Sequence, residues 1–357
     1  MERLLREAME EGAAGLSTGL IYAPCYFAAR EELVRLCRVV AQHGGIFVVH
    51  LRSEGDHLLE ALDEVLGIAG ESGTSPHISH FKVFGRPNWG KSTLALKRLE
   101  RARDAGIDVT FDQYPYTAGS TSLAVLLPPW AHEGGADVLL ARLRDPAARQ
   151  RMRQAMEQDT SWDNFLAAVG PENIFITWAG SERGRWAVGK NLREIAGTLG
   201  TSVPDAVMDI LLEEQLAASM VDFCMSEEDV ERIMLHPLQM FCTDGLLAGT
   251  PHPRAYGAYA RVLGHYVRER RLLPLEQAVR KMTSLPAQRL RLRDRGLVRE
   301  GYWADLVLFD PKTVSDTATY EDPCRHPAGI AYVFVNGVLT AAGGQHLGGR
   351  AGRVLGR

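Results

Sequence analysis

The chain has 357 residues, of which 46% are hydrophobic and 24% are charged, and its formal net charge is −4. A small net charge without a long run of one sign argues against nucleic acid and against an anionic membrane surface as the main partner. The five cysteines lack CxxC spacing, which argues against a disulfide framework, and no apolar stretch approaches the length of a membrane span.

The chain opens on a charged amphipathic segment, residues 1–12, without signal-peptide character, so we expect a cytoplasmic protein. Strand-like and helix-like segments then alternate, which predicts a parallel sheet with crossover helices. We predict helices over four segments, at residues 30–43, 56–71, 94–105 and 276–283. We predict six strands of this sheet, at residues 15–22, 46–51, 77–83, 107–113, 172–179 and 238–243.

Two long stretches interrupt this alternation. Residues 128–170 are mostly helical and too long for a plain loop between strand and helix, which predicts a lid or cap. Residues 191–235 are predicted to hold two or three further helices.

The C-terminal part has a different pattern. Residues 301–309 and 331–339 are predicted to be antiparallel strands, with a hairpin turn at Asn336-Gly337. We therefore divide the chain into a barrel domain with a helical insertion, a small β-rich segment and a frayed tail. Their predicted bounds are 1–290 for the barrel with its insertion at about 128–170, 291–345 for the β-rich segment and 346–357 for the tail.

Three of the predicted strands end near side chains that suit a metal site. His50 and His80 stand near the ends of two apolar runs, and Asp244 ends a third. In a (β/α) barrel the strand ends point side chains into one mouth, where two imidazoles and a carboxylate suit a divalent metal and its activated water. The alternative is that the histidines bond backbone carbonyls and that Asp244 forms a turn before Gly245.

Several long sequence blocks occur in the order found in one known family. They are GLSTGLIY at 15–22, HLRSEGD at 50–56, ISHFKVFG at 78–85, DQYPYTAGS at 112–120, TDGLLAGTPHPRAYG at 243–257 and MTSLPAQRLRLRDRGLVREGYWADLVLFDP at 282–311. On these blocks the chain resembles, almost end to end, the N-acyl-D-amino acid deacylases (D-aminoacylases) of the amidohydrolase superfamily.

The resemblance implies a metal-dependent-hydrolase (β/α) barrel with a small C-terminal β appendage. It implies hydrolysis of the amide bond of N-acyl-D-amino acids to a D-amino acid and a carboxylate, with Zn²⁺ as the cofactor. His50 and His80 match the family's zinc ligands from its fourth and fifth strands. Asp244 matches the aspartate that takes the proton of the metal-bound water and passes it to the leaving nitrogen.

The resemblance also implies four substrate-binding residues for a small-molecule N-acyl amino acid. Lys82, Tyr114 and Ser120 match positions near the substrate carboxylate, and Tyr22 matches a position on the acyl or oxyanion side. The alternative for each is a loop residue that is hydrogen-bonded locally.

The family's barrel has eight strands, and its first two lead into a His-x-His pair and an Asn-Cys-Gly turn that this sequence lacks. We therefore expect a barrel without its first two strands, whose open edges favour self-association. An alternative function is that of an inactive fragment or degenerate paralogue acting as a binding module. Another is a cyclic amidase, similar to hydantoinases and dihydropyrimidinases, against which Tyr22 and the DQYPYTAGS block argue.

Overall fold

A computed structural model describes residues 1–247 and 249–355. Its central feature is a sheet of five parallel strands, which we call the parallel sheet. In spatial order its strands are Gly15–Gly19, Ile46–His50, Ser75–Ile78, Thr110–Gln113 and Gln239–Phe241. The first four neighbours follow the chain order, as expected for strands joined by crossover helices.

The parallel sheet is buried because helices cover it. In the strand Ile46–His50, the neighbouring residues Ile46 and Phe47 face opposite sides of the sheet and are both buried, as in sheets that are covered on both faces. The following helix, Leu58–Ser72, buries Leu62 and Val65 in the same apolar cluster. It ends at Gly73, whose positive φ of 75° closes the helix in the left-handed conformation that glycine adopts without strain.

The remaining helices pack around the strands or extend from them. The α-helices are Glu2–Glu10, Arg30–Gln42, Leu58–Ser72, Ser92–Asp104, Ala136–Arg144, Pro146–Gln158, Phe165–Val169, Leu192–Leu199, Val203–Glu213, Glu227–Leu235, Arg254–Arg261, Leu275–Met282 and Ser284–Arg289, and a π-helix spans Val262–Glu269. Short 3₁₀ turns lie at Cys25–Phe27, Arg86–Asn88, Leu123–Leu126, Pro129–His132, Pro171–Asn173 and Arg183–Ala187.

One predicted strand of the parallel sheet lies elsewhere. Ile174–Ala179 pairs with Ala218–Asp222 in an antiparallel sheet of three strands, which Gly119–Ser122 completes on the other side. The prediction of six strands in one sheet is therefore wrong, and the parallel sheet has five among the described residues. The physical reason is that Ile174–Ala179 pairs with the short strand Ala218–Asp222, which lies about 45 positions further along the printed sequence, instead of joining the parallel sheet.

The predicted helical insertion at 128–170 contains three α-helices, and its last part reaches the parallel sheet. Asp163 accepts hydrogen bonds from the Ser53 hydroxyl at 2.6 Å and from the Glu54 backbone N–H at 2.7 Å. Phe165 stacks against Phe84, with ring centroids 4.2 Å apart. The insertion thus closes over the segments that follow two of the parallel strands.

The C-terminal sheet is antiparallel, which confirms the prediction for this part of the chain. Its strands, in spatial order, are Gln345–His346, Val338–Ala342, Ile330–Val335 and Leu306–Phe309. Asn336 and Gly337 turn the central hairpin with φ of 49° and 82°, which is the pattern of a type I′ turn. Residues 347–355 have no regular secondary structure, and the division of the chain into domains stays a prediction.

Among the described residues, no single helix is long and apolar enough to cross a membrane. The helices Leu192–Leu199 and Val203–Glu213 reach that length and apolarity only as a pair, and they are bent by 86° to each other.

Candidate active site

All seven site residues predicted from the sequence line one cavity of about 240 Å³. They are Tyr22, His50, His80, Lys82, Tyr114, Ser120 and Asp244. Five of them, Tyr22, His50, His80, Tyr114 and Asp244, end or follow the five parallel strands, one from each strand. The cavity therefore lies at the carboxyl ends of the parallel strands, where α/β folds place their sites. The chemical roles of these residues stay predictions.

Two of these residues adopt a backbone conformation that is rare outside glycine. His80 has φ of 39° and Asp244 has φ of 45°. Such a conformation costs about 1–3 kcal/mol each and persists only where the surroundings impose it, often at functional sites. At His80 the backbone N–H donates to Asp112 Oδ1 at 2.5 Å, and Asp112 Oδ2 is held by His77 Nε2 at 2.9 Å. The strained turn is thus anchored on the neighbouring strand.

The two predicted metal ligands contact each other. His50 Nδ1 lies 2.9 Å from His80 Nε2, and His80 Nδ1 lies 3.1 Å from Glu54 Oε1. One ligand atom from each of His50, Glu54 and His80 can be chosen so that all three lie within 4.8 Å of one another. These three side chains could hold a metal ion, and we call them the metal-ligand group.

An unsatisfied nitrogen indicates what this group lacks. His50 Nε2 is buried and has no hydrogen-bond partner among the described residues, and Glu54 Oε2 at 3.8 Å is too far away to serve as one. Burial lowers the pKa of His50 from 6.5 to about 3, so its ring is neutral at neutral pH. A neutral imidazole with a free ring nitrogen is the form that binds a metal ion, so the residues present fit a metal.

Glu54 was missed by the sequence reasoning, although it lies four residues after His50 in the HLRSEGD block. Lys82 Nζ donates to Glu54 Oε1 at 2.6 Å and lies 2.8 Å from His80 Nδ1. Burial acts to raise the pKa of Glu54, but the charge of Lys82 and then the histidines hold it well below the usual range. Glu54 is therefore an anion, and the ammonium of Lys82 is directed at the metal-ligand group.

Asp244 lines the cavity together with Arg254, which the sequence reasoning also missed. Arg254 Nη2 lies 2.7 Å from Asp244 Oδ2. Arg254 is buried and its guanidinium carbon lies 4.3 Å from the centroid of the Tyr114 ring, whereas the side chain of Asp244 is 36% exposed. A buried cation thus orients a carboxylate that solvent and substrate can reach.

The tyrosines and Ser120 complete the lining. Tyr22 Oη lies 2.9 Å from Thr121 Oγ1, and the Tyr22 ring lies 5.0 Å from the His50 ring. Burial raises the pKa of Tyr22 to about 12 and that of Tyr114 well above its ordinary value, so both phenols are neutral donors. The carbonyl of Ser120 accepts a hydrogen bond from Arg254 Nη2 at 3.3 Å.

The model of the amidohydrolase family matches residues 1–341. The chain belongs to the amidohydrolase family. This amidohydrolase is 39% identical to D-aminoacylase of Alcaligenes xylosoxydans xylosoxydans over 358 residues, and 39% identical to N-acyl-D-glutamate deacylase of the same organism over 360 residues. Both matches cover 100% of this chain and 64% of the relative, so the chain spans about two thirds of each relative's length. The predicted resemblance to the D-aminoacylases is confirmed.

Solved structures show the same relationship. A crystal structure of D-aminoacylase matches this amidohydrolase with a TM-score of 0.82 and 38% identity, covering 100% of this chain and 65% of that one. N-acyl-D-glutamate deacylase from Bordetella bronchiseptica, complexed with zinc and a phosphonate inhibitor that mimics the tetrahedral intermediate, matches with a TM-score of 0.82 and 36% identity over the same shares. The chain therefore has the amidohydrolase fold.

Proposed function

We propose that this chain is a zinc-dependent amidohydrolase that cleaves N-acyl-D-amino acids into a D-amino acid and a carboxylate. The observation that carries the proposal is the cavity in which His50, His80 and Asp244 meet, in a chain 39% identical to a D-aminoacylase. We further propose that the five parallel strands are part of a (β/α) barrel, since their carboxyl ends converge on one mouth.

The metal-ligand group supports zinc as the cofactor. Catalytic zinc is usually held by three protein ligands, and His50, His80 and Glu54 supply two imidazoles and a carboxylate. Glu54 Oε1 is engaged by Lys82, whereas Oε2 faces His50 Nε2. When bound, zinc supplies Lewis-acid activation of water and of a carbonyl group. One structural relative, N-acyl-D-glutamate deacylase, is complexed with zinc.

Asp244 is placed to move the proton. Arg254 holds Oδ2 of Asp244, which leaves Oδ1 to take a proton from the attacking water and to deliver it to the leaving nitrogen. The partly exposed position of the carboxylate allows the substrate to reach it. The pairing with Arg254 keeps the carboxylate in one orientation through both transfers.

The other lining residues bind the substrate in this proposal. Tyr22, a neutral phenol beside His50, donates a hydrogen bond to the acyl oxygen as negative charge develops there. Tyr114, Ser120 and Lys82 line the same cavity and bind the substrate carboxylate in this proposal, and Arg254 adds a buried cation. The partner of the site is thus a small N-acyl amino acid.

Two further predictions remain proposals. Gly15–Gly19 and Gln239–Phe241 stand at the two ends of the parallel sheet and each pairs on one side only, within the ranges 1–247 and 249–355. Self-association through such edges is the proposed assembly. A cytoplasmic location is the other proposal, and nucleic acid and membrane are not proposed as partners.

The test is release of free D-amino acid from N-acetyl-D-methionine and N-acetyl-D-leucine, with the L-enantiomers as controls, before and after chelation and zinc addition. We expect zinc-dependent hydrolysis of the D-compounds, which His50→Ala and His80→Ala abolish together with zinc binding. His346→Ala is the matched control, because His346 lies exposed in the C-terminal sheet.

Two outcomes would contradict the proposal. Binding of zinc and of the N-acetyl-D-amino acids without any hydrolysis would favour a binding module. Hydrolysis of dihydrouracil or hydantoin, with none of the linear compounds, would favour a cyclic amidase.

A further inference from the structure

Asp222 is a buried carboxylate that the proposed reaction does not use. It ends the strand Ala218–Asp222 of the antiparallel sheet, lines the cavity and is 2% exposed. Its Oδ1 is buried and has no hydrogen-bond partner within the part of the chain that the structure describes. A buried acceptor without a partner carries an energetic cost that a donor on a bound molecule would remove.

Asp222 differs from the other carboxylates of the cavity in its ion pairs. The lining holds three carboxylates and two cations. Glu54 is paired with Lys82, and Asp244 is paired with Arg254. Among the described residues Asp222 has no cation within ion-pair distance. Burial raises the pKa of Asp222, so a cation or a hydrogen-bond donor on a bound molecule would favour its charged form.

The position of Asp222 is fixed by its surroundings. Its backbone pairs with Gly119 on one side and with Ile174 on the other. A Cβ atom built on Gly119 would lie 3.1 Å from Asp222 Oδ1 and 3.2 Å from Oδ2, so the absence of a side chain there makes room for the carboxylate. The Cys224 side chain hydrogen-bonds Asp222 from two residues further along the chain.

Substrates of the proposed class differ in the amino-acid side chain, and this is the part among which Asp222 could select. The scissile carbonyl and the substrate carboxylate are common to all N-acyl amino acids, and both offer acceptors, which a carboxylate does not bind. The groups that Asp222 can bind are donors, namely the amide N–H or a donor on the side chain. The amide N–H is the same in every such substrate, so only contact with the side chain would make Asp222 select among substrates.

We infer that Asp222 sets the side-chain preference of the proposed deacylase, favouring cationic or hydrogen-bond-donating side chains and disfavouring carboxylate side chains. This inference rests on the proposed function. This preference would differ from the substrates named for two relatives, N-acyl-D-glutamate deacylase and N-acyl-D-aspartate deacylase, which are 39% and 36% identical to the chain. A like charge placed against Asp222 is repelled, and because Asp222 is only 2% exposed, water screens that repulsion weakly.

The experiment compares kcat/KM for N-acetyl derivatives of D-lysine, D-glutamine, D-methionine and D-glutamate on the zinc-loaded protein. We expect D-lysine and D-glutamine to exceed D-glutamate by about tenfold or more, the range of one hydrogen bond to a charged group. Asp222→Asn should reduce the lysine-to-glutamate ratio by about tenfold. The control Asp209→Asn, which removes a carboxylate paired with Arg149 outside the cavity, should leave every ratio unchanged.

A second variant keeps the carboxylate but displaces it. Gly119→Ala should lower the lysine-to-glutamate ratio in the same direction and by less than Asp222→Asn. Thermal melting of each variant shows that it is folded. Equal rates for the lysine and glutamate compounds in the unchanged protein would overturn the inference. An equal loss on all four compounds in Asp222→Asn would also overturn it, because the carboxylate would then hold a common part of the substrate.

Calorimetric binding of the same four compounds separates this inference from the proposed function. If none is hydrolysed, the proposed function fails, yet the N-acetyl-D-lysine compound should still bind more tightly than the N-acetyl-D-glutamate compound, and Asp222→Asn should remove that difference. Equal affinities, or no binding of any of the four, would overturn the inference itself.

Discussion

Two groups of residues that line the cavity are built in different ways. The metal-ligand group takes His50, Glu54 and His80 from two neighbouring parallel strands and the segments that follow them, over 31 consecutive positions of the printed sequence. The second group, which we call the Asp244 group, takes Asp222 from the antiparallel sheet and Asp244 and Arg254 from the segment after the last parallel strand.

The difference separates a connected metal site from groups left for the substrate. In the metal-ligand group and Lys82 the side chains contact one another at 2.6 to 3.1 Å, and His50 Nε2 is left for a metal. In the Asp244 group one carboxylate is partly exposed and another has an unpartnered oxygen. In the proposed function these two carboxylates are available to the substrate.

The largest expected effect tests the catalytic role proposed for Asp244. Asp244→Asn removes the proton acceptor and keeps the shape, so kcat should fall by about 10²–10⁴-fold, the usual contribution of a general base. Zinc content, measured by atomic absorption after gel filtration, should stay the same. A variant that loses its zinc instead would show that Asp244 is a metal ligand rather than a base.

The next effect tests the contact between Lys82 and the metal-ligand group. Lys82→Met leaves Glu54 buried without its cation, so the free energy of unfolding of the metal-free protein should fall by about 3–5 kcal/mol. Urea unfolding followed by circular dichroism measures this, and added zinc should restore part of it. The control Arg3→Met removes an exposed partner of Glu7 and should have no measurable effect. Equal stability of Lys82→Met and the unchanged protein would contradict this role of the contact.

The smallest effect concerns pH. The pKa of His50 falls from 6.5 to about 3 in the folded chain because of burial, so the unfolded chain binds a proton that the folded chain does not. The stability from this neutral ring is complete above pH 6.5 and is lost on acidification towards pH 3, by about 1.4 kcal/mol per pH unit. Urea midpoints of chelated protein between pH 6.5 and pH 4.5 measure the slope.

His50→Gln is the matched variant for this measurement. It should flatten the slope by the amount that one proton contributes. An unchanged slope in the variant would show that the ring takes up its proton in the folded state as readily as in the unfolded one.

Local patterns predicted part of the fold well. The strand expected at 46–51 spans Ile46–His50, and the turn at Asn336-Gly337 joins two antiparallel strands. These features depend on neighbours in the sequence, namely an apolar run and a residue pair suited to positive φ. The strand Ala218–Asp222 was not predicted, because its partners, Gly119–Ser122 and Ile174–Ala179, lie about 100 and 45 positions away in the printed sequence.

The sequence by itself determined which side chains stand at the ends of the parallel strands. One strand ends on His50, and two others end just before His80 and Asp244. Each strand carries its last residues to the edge of the sheet, whatever the rest of the fold does. The tertiary structure alone decided that Glu54 turns to Lys82, that Arg254 holds Asp244, and that Asp222 lines the cavity with Oδ1 unpartnered. These contacts depend on how segments fold rather than on local pattern. Lys82 lies 28 positions after Glu54, Arg254 reaches Asp244 from ten positions further along the same segment, and Asp222 belongs to a separate sheet.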